Sequence, residues 1–127
     1  MSLIDPTPFC SHSGISLPWK IDADALTNDD LGALAKLVAD RIGFWRVVGI
    51  PRGGLRFAEA LEPYVRWIGS KPTVLIVDDV LTTGKSMENA KLQFGEYFNV
   101  TGVVIFARTV CPHWVQPIFS LAPWMQP

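Results

Sequence analysis

The chain has 127 residues, a formal net charge of −1 and 49% hydrophobic residues, which fits one soluble domain with a core of its own. A charge so near zero provides no overall field for nucleic acid or an anionic membrane, so we expect neither partner. No apolar run approaches the ~20 residues that span a bilayer, and residues 1–9 lack the features of a signal peptide, so a cytoplasmic location is expected.

The first 25 residues predict an irregular or short-stranded segment, because three prolines and Gly14 interrupt it. Cys10 lies in this segment and Cys111 near the other end of the chain. Two free thiols are favoured over one long-range disulfide. His12 and His113 neighbour the cysteines, but neither pair has the spacing of a zinc site.

A helix is predicted next, over about 27–43. Thr27 and Asp30 form a variant of the capping box, with aspartate in the place of glutamate, and leucines then recur at helical spacing. A short apolar run at 45–50 is rich in β-branched residues and predicts the first strand of the main sheet.

Helical spacing resumes over 55–68, where Pro63 is expected to interrupt or kink the helix. An apolar run at 73–77 predicts a second strand, 86–98 a third helix, and 100–107 a third strand. Strands that are apolar on both faces and alternate with helices predict an α/β fold, a compact parallel sheet flanked by helices. Ligands of such sheets bind beyond the carboxyl ends of the strands. The segments at that edge are Pro51-Arg52-Gly53-Gly54, Asp78 to Ser86, and Arg108.

The segment after the second strand combines two acids with a loop suited to an anion, and we expect 78–85 to be non-regular. Asp78 and Asp79 are adjacent carboxylates at the end of a buried strand, where they suit ligand hydroxyl groups or a divalent ion. Gly84 permits positive φ, so successive N–H groups can point at an anion, and the next helix adds a partial positive charge. Acids beside such a loop predict a sugar-phosphate site.

Other interpretations of this segment fit less well. The simplest is an ordinary strand–turn–helix junction, in which an aspartate caps and a glycine turns. A P-loop requires a glycine five positions before Gly84, where Asp79 stands. A receiver-type phosphoacceptor domain requires its acidic pair at an earlier strand and a further aspartate after a later one, which the sequence lacks.

Residues 74–86 resemble the phosphoribosyl pyrophosphate (PRPP) signature of the type I phosphoribosyltransferases, in which four apolar residues precede two acids and a Thr/Gly/Ser loop. Residues 49–54 are similar to the pyrophosphate loop of that family, which often contains a non-proline cis peptide. The resemblance implies that Asp78 and Asp79 bind the ribose hydroxyls and serve in catalysis. It implies 5-phosphate binding by Val80, Leu81, Thr82, Thr83, Gly84, Lys85 and Ser86, and pyrophosphate binding by Pro51, Arg52, Gly53 and Gly54.

The base-binding residues are implied by weaker likenesses. Residues 9–19 are similar to the hood segment of orotate phosphoribosyltransferases, with His12 where many of them carry a lysine. Arg108 follows the last predicted strand, where orotate and 6-oxopurine enzymes have a cation near the base. Trp114 lies in a segment similar to the hood of xanthine-guanine enzymes and is expected to stack on a base. The predicted organisation is one domain, with a hood segment at 1–25, an α/β core at 26–110 and a tail at 111–127.

The resemblance implies an enzyme that joins a nucleobase, either a pyrimidine such as orotate or a 6-oxopurine, to ribose 5-phosphate and releases pyrophosphate. It also implies Mg²⁺ carried by PRPP and a homodimer. However, residues 55–77 have room for one helix and one strand but not for the flexible loop that closes over the reacting centre in the family. A non-catalytic module that binds PRPP or a nucleotide is therefore the alternative, and an interaction domain with a vestigial site is a third.

Overall fold

The computed structural model of the chain describes residues 25–67, 69 and 71–120, together with the backbone of four two-residue strands nearer the amino terminus. These strands form two antiparallel pairs, β1 (Ile4–Asp5) with β4 (Lys20–Ile21) and β2 (Phe9–Cys10) with β3 (Ser16–Leu17). The short-stranded character predicted for this segment is confirmed. The side chain of His12 and the predicted role of the segment as a hood lie outside the described residues.

The rest of the described chain alternates strands with helices. The elements are α1 (Asn28–Arg41), β5 (Arg46–Gly49), α2 (Gly54–Leu61), a 3₁₀ turn (Glu62–Tyr64), β6 (Thr73–Leu81), α3 (Lys85–Leu92), β7 (Asn99–Ala107) and β8 (Val115–Ser120). The last four strands form one sheet in the order β5-β6-β7-β8, and every neighbouring pair is parallel. The predicted α/β class with a parallel sheet is confirmed.

The core has two parts, one on each face of this sheet. Helices α1 and α2 cover one face and α3 covers the other. Strand β6 contributes to both parts because its side chains alternate: Leu75 and Val77 pack towards α1 and α2, whereas Val74 and Ile76 pack on the side of Met87 in α3. All four of these β6 residues are fully buried, so the strand that leads to the candidate site has a fixed position.

The start of α1 is held by the predicted capping box. The Asp30 amide donates to the Thr27 hydroxyl at 3.0 Å, and the Thr27 amide donates to the Asp30 carboxylate at 2.9 Å. The Arg56 guanidinium in α2 donates to the Leu26 carbonyl at 3.0 Å, so this end of α1 is also attached to its neighbouring helix.

Two predicted helices are too long. The second helix ends at Leu61 rather than continuing to residue 68, because Pro63 has no N–H to donate and the chain tightens into the 3₁₀ turn. The third begins at Lys85 and ends at Leu92, and the turn that follows includes Gly95 at a φ of 58°. The predicted interruption at Pro63 is therefore confirmed, and the predicted lengths are wrong.

The strand boundaries also differ from the predictions. Asp78 to Leu81 were expected to lie in a loop, but β6 continues through them because β7 stays paired alongside, with Val80 opposite Phe106 and Leu81 opposite Ala107. Strand β8 was missed, since residues 111–127 were expected to be a tail. It contains Pro117, and proline is tolerated here because β8 pairs only with β7 in the described sheet and so forms its edge.

Aromatic side chains gather where the strands of the main sheet begin. Trp45 lies 5.7 Å from Trp67 in an edge-on contact and 5.7 Å from Phe98 in a stacked one. Trp45 and Phe98 each directly precede a strand. This group therefore lies at the end of the sheet where the strands begin, opposite to the candidate site. Within the described residues, no helix is both long and apolar enough to cross a membrane.

Candidate functional site

The predicted site segments lie together at the carboxyl-terminal ends of three neighbouring strands, β5, β6 and β7. Gly49 at the end of β5 pairs with Val77, and the Ile50 amide donates to the Val77 carbonyl at 2.9 Å. On the other side of β6, the Arg108 amide donates to the Leu81 carbonyl at 3.0 Å. The chain therefore has the Arg-Gly-Gly loop on one side of the acid pair and Arg108, which was predicted to face the base, on the other.

The loop between β5 and α2 lies directly on β6. The peptide between Pro51 and Arg52 is cis, as the resemblance to the pyrophosphate loop implies. A Cβ atom on Gly54 would lie only 2.6 Å from the Val77 carbonyl oxygen, and one on Gly49 would lie 2.6 Å from the Gly54 carbonyl oxygen. Because no side chain fits at these two positions, glycine is what lets the loop approach the strand this closely. Arg52 is exposed at the outer side of the loop.

The two acids of the signature are half-buried near the end of β6, and they face different neighbours. The Asp79 carboxylate lies against Gly53, where a Cβ atom would overlap it. The Asp78 carboxylate lies nearer to Gly54 and lines the pocket described below. The Asp79 amide donates to Asp78 Oδ1 at 2.8 Å, and the Val80 amide donates to Asp79 Oδ1 at 2.7 Å. These two bonds hold both carboxylates near the end of β6, beside the Arg-Gly-Gly loop and the pocket.

The half-buried position of Asp78 changes its acidity. Burial raises the pKa of Asp78 to about 7, and a hydrogen bond with the Asp79 side chain and repulsion from its charge act in the same direction. Near neutral pH, Asp78 can therefore either accept a hydrogen bond as a carboxylate or donate one as an acid. Such a group, with the Asp79 carboxyl beside it, suits the vicinal hydroxyls of a sugar, which both donate and accept.

The loop that follows β6 encloses a small open pocket. The pocket is lined by Asp78, Val80, Leu81, Thr82, Thr83, Gly84, Ser86 and Met87. Gly84 adopts a φ of 81°, which turns the chain into α3. The Lys85 amide donates a long hydrogen bond to the Thr83 hydroxyl at 3.4 Å, so Thr83 already faces the first turn of this helix. The helix N-terminus and the exposed hydroxyls of Thr82 and Thr83 together suit an anion.

The structure brings most, though not all, of the predicted phosphate residues into this pocket. Seven of its eight lining residues were predicted as site residues, whereas Met87 was not; its helical spacing with the apolar residues of α3 pointed only to the core. The side chain of Lys85 is exposed and does not line the pocket. Another residue that the sequence did not single out is Pro112, whose ring would lie 3.9 Å from a Cβ atom on Gly84.

Arg108 and Trp114, the two described residues that were predicted to face the base, have different surroundings. Arg108 is half-buried directly after β7, and burial lowers the pKa of its guanidinium. Trp114 is 9% exposed and packs in the core between α3 and β7, where a Cβ atom on Gly102 would lie 2.9 Å from its ring. The Lys91 ammonium lies over the same ring, 5.0 Å from its centre. A ring packed in this way contributes to the core, and its predicted stacking on a base stays a prediction.

Comparison with known proteins gives a structural answer only. No protein-family model matches the chain, and no curated protein matches it in sequence. Among solved structures, the orotate phosphoribosyltransferase from Aeropyrum pernix is 22% identical with a TM-score of 0.71, and the match covers 94% of this chain and 89% of that one. The UMP synthase of Leishmania donovani is 19% identical with a TM-score of 0.69, over 94% of this chain but only 34% of that one.

A third structure of this kind carries a bound nucleotide. A hypothetical protein from Neisseria gonorrhoeae with bound ppGpp is 18% identical with a TM-score of 0.53, and the match covers 75% of this chain and 79% of that one. Identities this low establish a shared fold rather than a shared activity.

Proposed function

Starting from the type I phosphoribosyltransferase fold of this chain, we propose that the protein is a PRPP-dependent phosphoribosyltransferase. It joins a nucleobase, a pyrimidine such as orotate or a 6-oxopurine, to C1 of the ribose and releases pyrophosphate. One observation carries the proposal: the acid pair at the end of β6 lies between the Arg-Gly-Gly loop and an open pocket at the start of α3. These are the parts needed to hold a diphosphate, two hydroxyls and a phosphate in a row.

The loop after β6 holds the 5-phosphate. Main-chain amides at the start of α3 and the hydroxyls of Thr82, Thr83 and Ser86 donate hydrogen bonds to its oxygens, and Lys85 adds a positive charge at the rim. A charge-assisted hydrogen bond contributes about 1.5–3 kcal/mol, so a few of them bind a phosphate firmly in a protein with almost no net charge.

The acids act on the ribose. Asp78 and Asp79 accept hydrogen bonds from the 2- and 3-hydroxyls, and their negative charge stabilises the positive charge that develops on the ring as the diphosphate leaves. The short distance between Asp79 and Gly53 matters here, because it keeps the ribose site next to the loop that receives the leaving group.

The diphosphate rests on Pro51, Arg52, Gly53 and Gly54, and the donor set fits a Mg²⁺ ion that arrives with it. Carboxylate oxygens are hard ligands suited to Mg²⁺, but no cluster of three or more metal-binding side chains occurs among the described residues. A Mg²⁺ ion carried by PRPP would neutralise charge on the departing diphosphate. Arg52, on the exposed side of the loop, provides a further cation.

The base lies beyond β7, close to Arg108. A half-buried guanidinium suits an anionic or carbonyl-bearing base, and His12 stays a predicted second contact from the hood segment. The homodimer implied by the resemblance and the cytoplasmic location expected from the sequence also stay predictions.

The experiment is a turnover assay with PRPP, Mg²⁺ and each of orotate, uracil, hypoxanthine, guanine, xanthine and adenine, in which pyrophosphate and the nucleotide are measured together. We expect one base to give both products in equal amounts, and the Asp79→Asn variant to give neither. If no base gives pyrophosphate and nucleotide, the enzyme is rejected, and a calorimetric titration with PRPP then decides whether the chain binds PRPP at all.

A second candidate is a module that binds PRPP or a nucleotide without catalysis. The segment from Tyr64 to Thr73 is too short for a loop that closes over the reacting centre, and the structurally similar Neisseria gonorrhoeae protein binds ppGpp. PRPP or nucleotide binding in the absence of turnover with every base would favour this candidate over the enzyme.

A further inference from the structure

Trp114 joins the two halves of the candidate site. Its indole Nε1 donates a hydrogen bond to Glu88 Oε1 at 2.8 Å, and its ring is covered by Lys91. Both partners lie on α3, the helix whose first turn forms the phosphate pocket. Trp114 itself ends the segment that begins at Arg108, so one side chain links the phosphate helix to the base side.

The segment 108–114 is hydrogen-bonded to the phosphate side at its two ends and passes beside it in the middle. At its start, the Arg108 amide bonds to the Leu81 carbonyl. In its middle, Pro112 lies beside Gly84, within van der Waals reach of a Cβ atom placed there. At its end, Trp114 bonds to Glu88 and packs on Gly102. The first of these is a main-chain bond, and the second involves Gly84, which has no side chain. Only the third depends on a pair of side chains, those of Trp114 and Glu88.

Two further main-chain bonds make the third attachment stiff. The Gly102 amide donates to the Trp114 carbonyl at 2.9 Å, and the Val115 amide donates to the Pro112 carbonyl at 3.0 Å. The backbone of Trp114 is thus fixed to β7, and its indole is fixed to α3. A shift of α3 relative to β7 would therefore strain the Trp114 side chain or break its hydrogen bond with Glu88.

We propose that the Trp114–Glu88 hydrogen bond is a positioning contact that sets the base-side segment relative to the 5-phosphate loop. The proposal rests on the proposed function, because it assumes that segment 108–114 borders the base. Reacting groups need correct relative placement, and a displacement of about 1 Å can cost on the order of a hundredfold in rate. In a chain this short, a fixed link between the two subsites provides the alignment that a closing loop provides in longer proteins.

The inference makes a specific distinction between ligands. Ribose 5-phosphate occupies only the phosphate and ribose subsites, whereas a nucleoside monophosphate also requires the base side to be in register. Loss of the link should weaken the nucleotide and leave ribose 5-phosphate unaffected.

The test is titration calorimetry with ribose 5-phosphate and with the tightest binder among orotidine, uridine, inosine and guanosine 5′-monophosphates. Glu88→Met removes the acceptor, Glu88→Gln keeps a side-chain oxygen in its place, and Trp114→Phe removes the donor. We expect Glu88→Met and Trp114→Phe to weaken nucleotide binding at least fivefold with ribose 5-phosphate changed less than twofold, and Glu88→Gln to resemble the parent. Glu88 is exposed, so its variants remain folded even if Trp114→Phe does not.

The outcomes separate the two proposals. If the parent protein binds neither ribose 5-phosphate nor any nucleotide, the proposed function fails. If ribose 5-phosphate binds but Glu88→Met weakens both ligands equally, or neither, the positioning role is overturned and the proposed function stands. The positioning role is also overturned if no nucleotide binds more tightly than ribose 5-phosphate.

Discussion

The carboxylate of Asp79 lies so close to Gly53 that a single added methyl group on the glycine would overlap it. Gly53 belongs to the loop after β5 and Asp79 to β6, so the contact joins the predicted diphosphate and ribose subsites across two parallel strands. Two residues that are 26 positions apart in the sequence therefore have to be considered as one unit. The first two predictions test this unit from its two sides.

Asp79→Asn should remove the charge of this unit without changing its shape. The amide oxygen of asparagine can still accept the Val80 amide, so the fold loses little and the melting temperature should be nearly unchanged. PRPP affinity should fall at least tenfold, because loss of a charge-assisted hydrogen bond costs about 1.5–3 kcal/mol and about 1.4 kcal/mol is tenfold. Calorimetric titration with PRPP and Mg²⁺ measures this, and an unchanged dissociation constant would show that the acid is assigned wrongly.

Gly53→Ala should displace the Asp79 carboxylate or the loop, and PRPP affinity should fall by on the order of tenfold or more because two subsites move together. Gly32 is the matched control, since a Cβ atom there meets nothing within 4 Å and the residue lies inside α1. Gly32→Ala should stabilise the fold by about 0.5–1 kcal/mol through helix propensity and leave PRPP binding as it is. Equal PRPP affinity in both variants would contradict the prediction.

The raised pKa of Asp78 should make the stability of the ligand-free protein depend on pH. In the unfolded chain this group loses its proton near its ordinary value of 3.8, whereas in the folded chain it holds the proton up to about pH 7. Between these values the folded chain binds more protons, so the free energy of unfolding should decrease as the pH rises from about 4 to 7. The stabilisation that the protonated Asp78 provides is fully present below the ordinary pKa of 3.8, and it is lost as the pH rises through about 7.

Urea unfolding at several pH values between 4 and 8 measures this dependence. The Asp78→Asn variant is the control, because it keeps an oxygen for the Asp79 amide but cannot titrate. The difference between the parent and the variant isolates Asp78 from the other acids of the chain. A parent curve parallel to that of the variant would mean that Asp78 titrates normally.

Thr27→Ala should test the fold without touching the site. Loss of the capping hydroxyl leaves the Asp30 amide without its acceptor and should lower the free energy of unfolding by about 1 kcal/mol. Thr27→Ser retains the oxygen and should recover most of that loss. Neither variant should change the affinity for PRPP, and a weaker PRPP affinity in Thr27→Ala would indicate that the start of α1 contributes to the ligand site.

Most of the residues that line the candidate pocket could be predicted from the sequence because they are contiguous. Two acids, three hydroxyls and Gly84 lie within nine residues, from the end of a buried strand to the start of a helix, and the interpretation of each depends on its immediate neighbours. The predicted end of β6 was four residues too early, because a strand continues as long as its neighbour offers main-chain hydrogen-bond partners. The pairing of Leu81 with Ala107 depends on a strand 26 residues further along, which local turn signals do not reveal.

The contacts between segments could not be predicted in the same way. The position of Gly53 beside Asp79 follows from the register of β5 on β6, which is set by how the helices pack on both strands. Trp114 carried no periodic signal because it follows Pro112 and precedes Pro117, and the same prolines disguised β8. An aromatic residue near a ligand edge was therefore interpreted as a stacking group, whereas the structure uses it to join a helix to a strand.

The three tryptophans that the structure describes, Trp45, Trp67 and Trp114, differ in their exposure to solvent and lie at two ends of the sheet. Trp114 is enclosed beside the helix that starts at the candidate pocket, whereas Trp67 is 60% exposed at the opposite edge and contacts Trp45. A soluble quencher such as iodide reaches Trp67 readily and leaves Trp114 emitting. Among the three tryptophans that the structure describes, quenching should therefore fall most on Trp67, at the end of the sheet opposite to the candidate pocket, and least on Trp114 beside it.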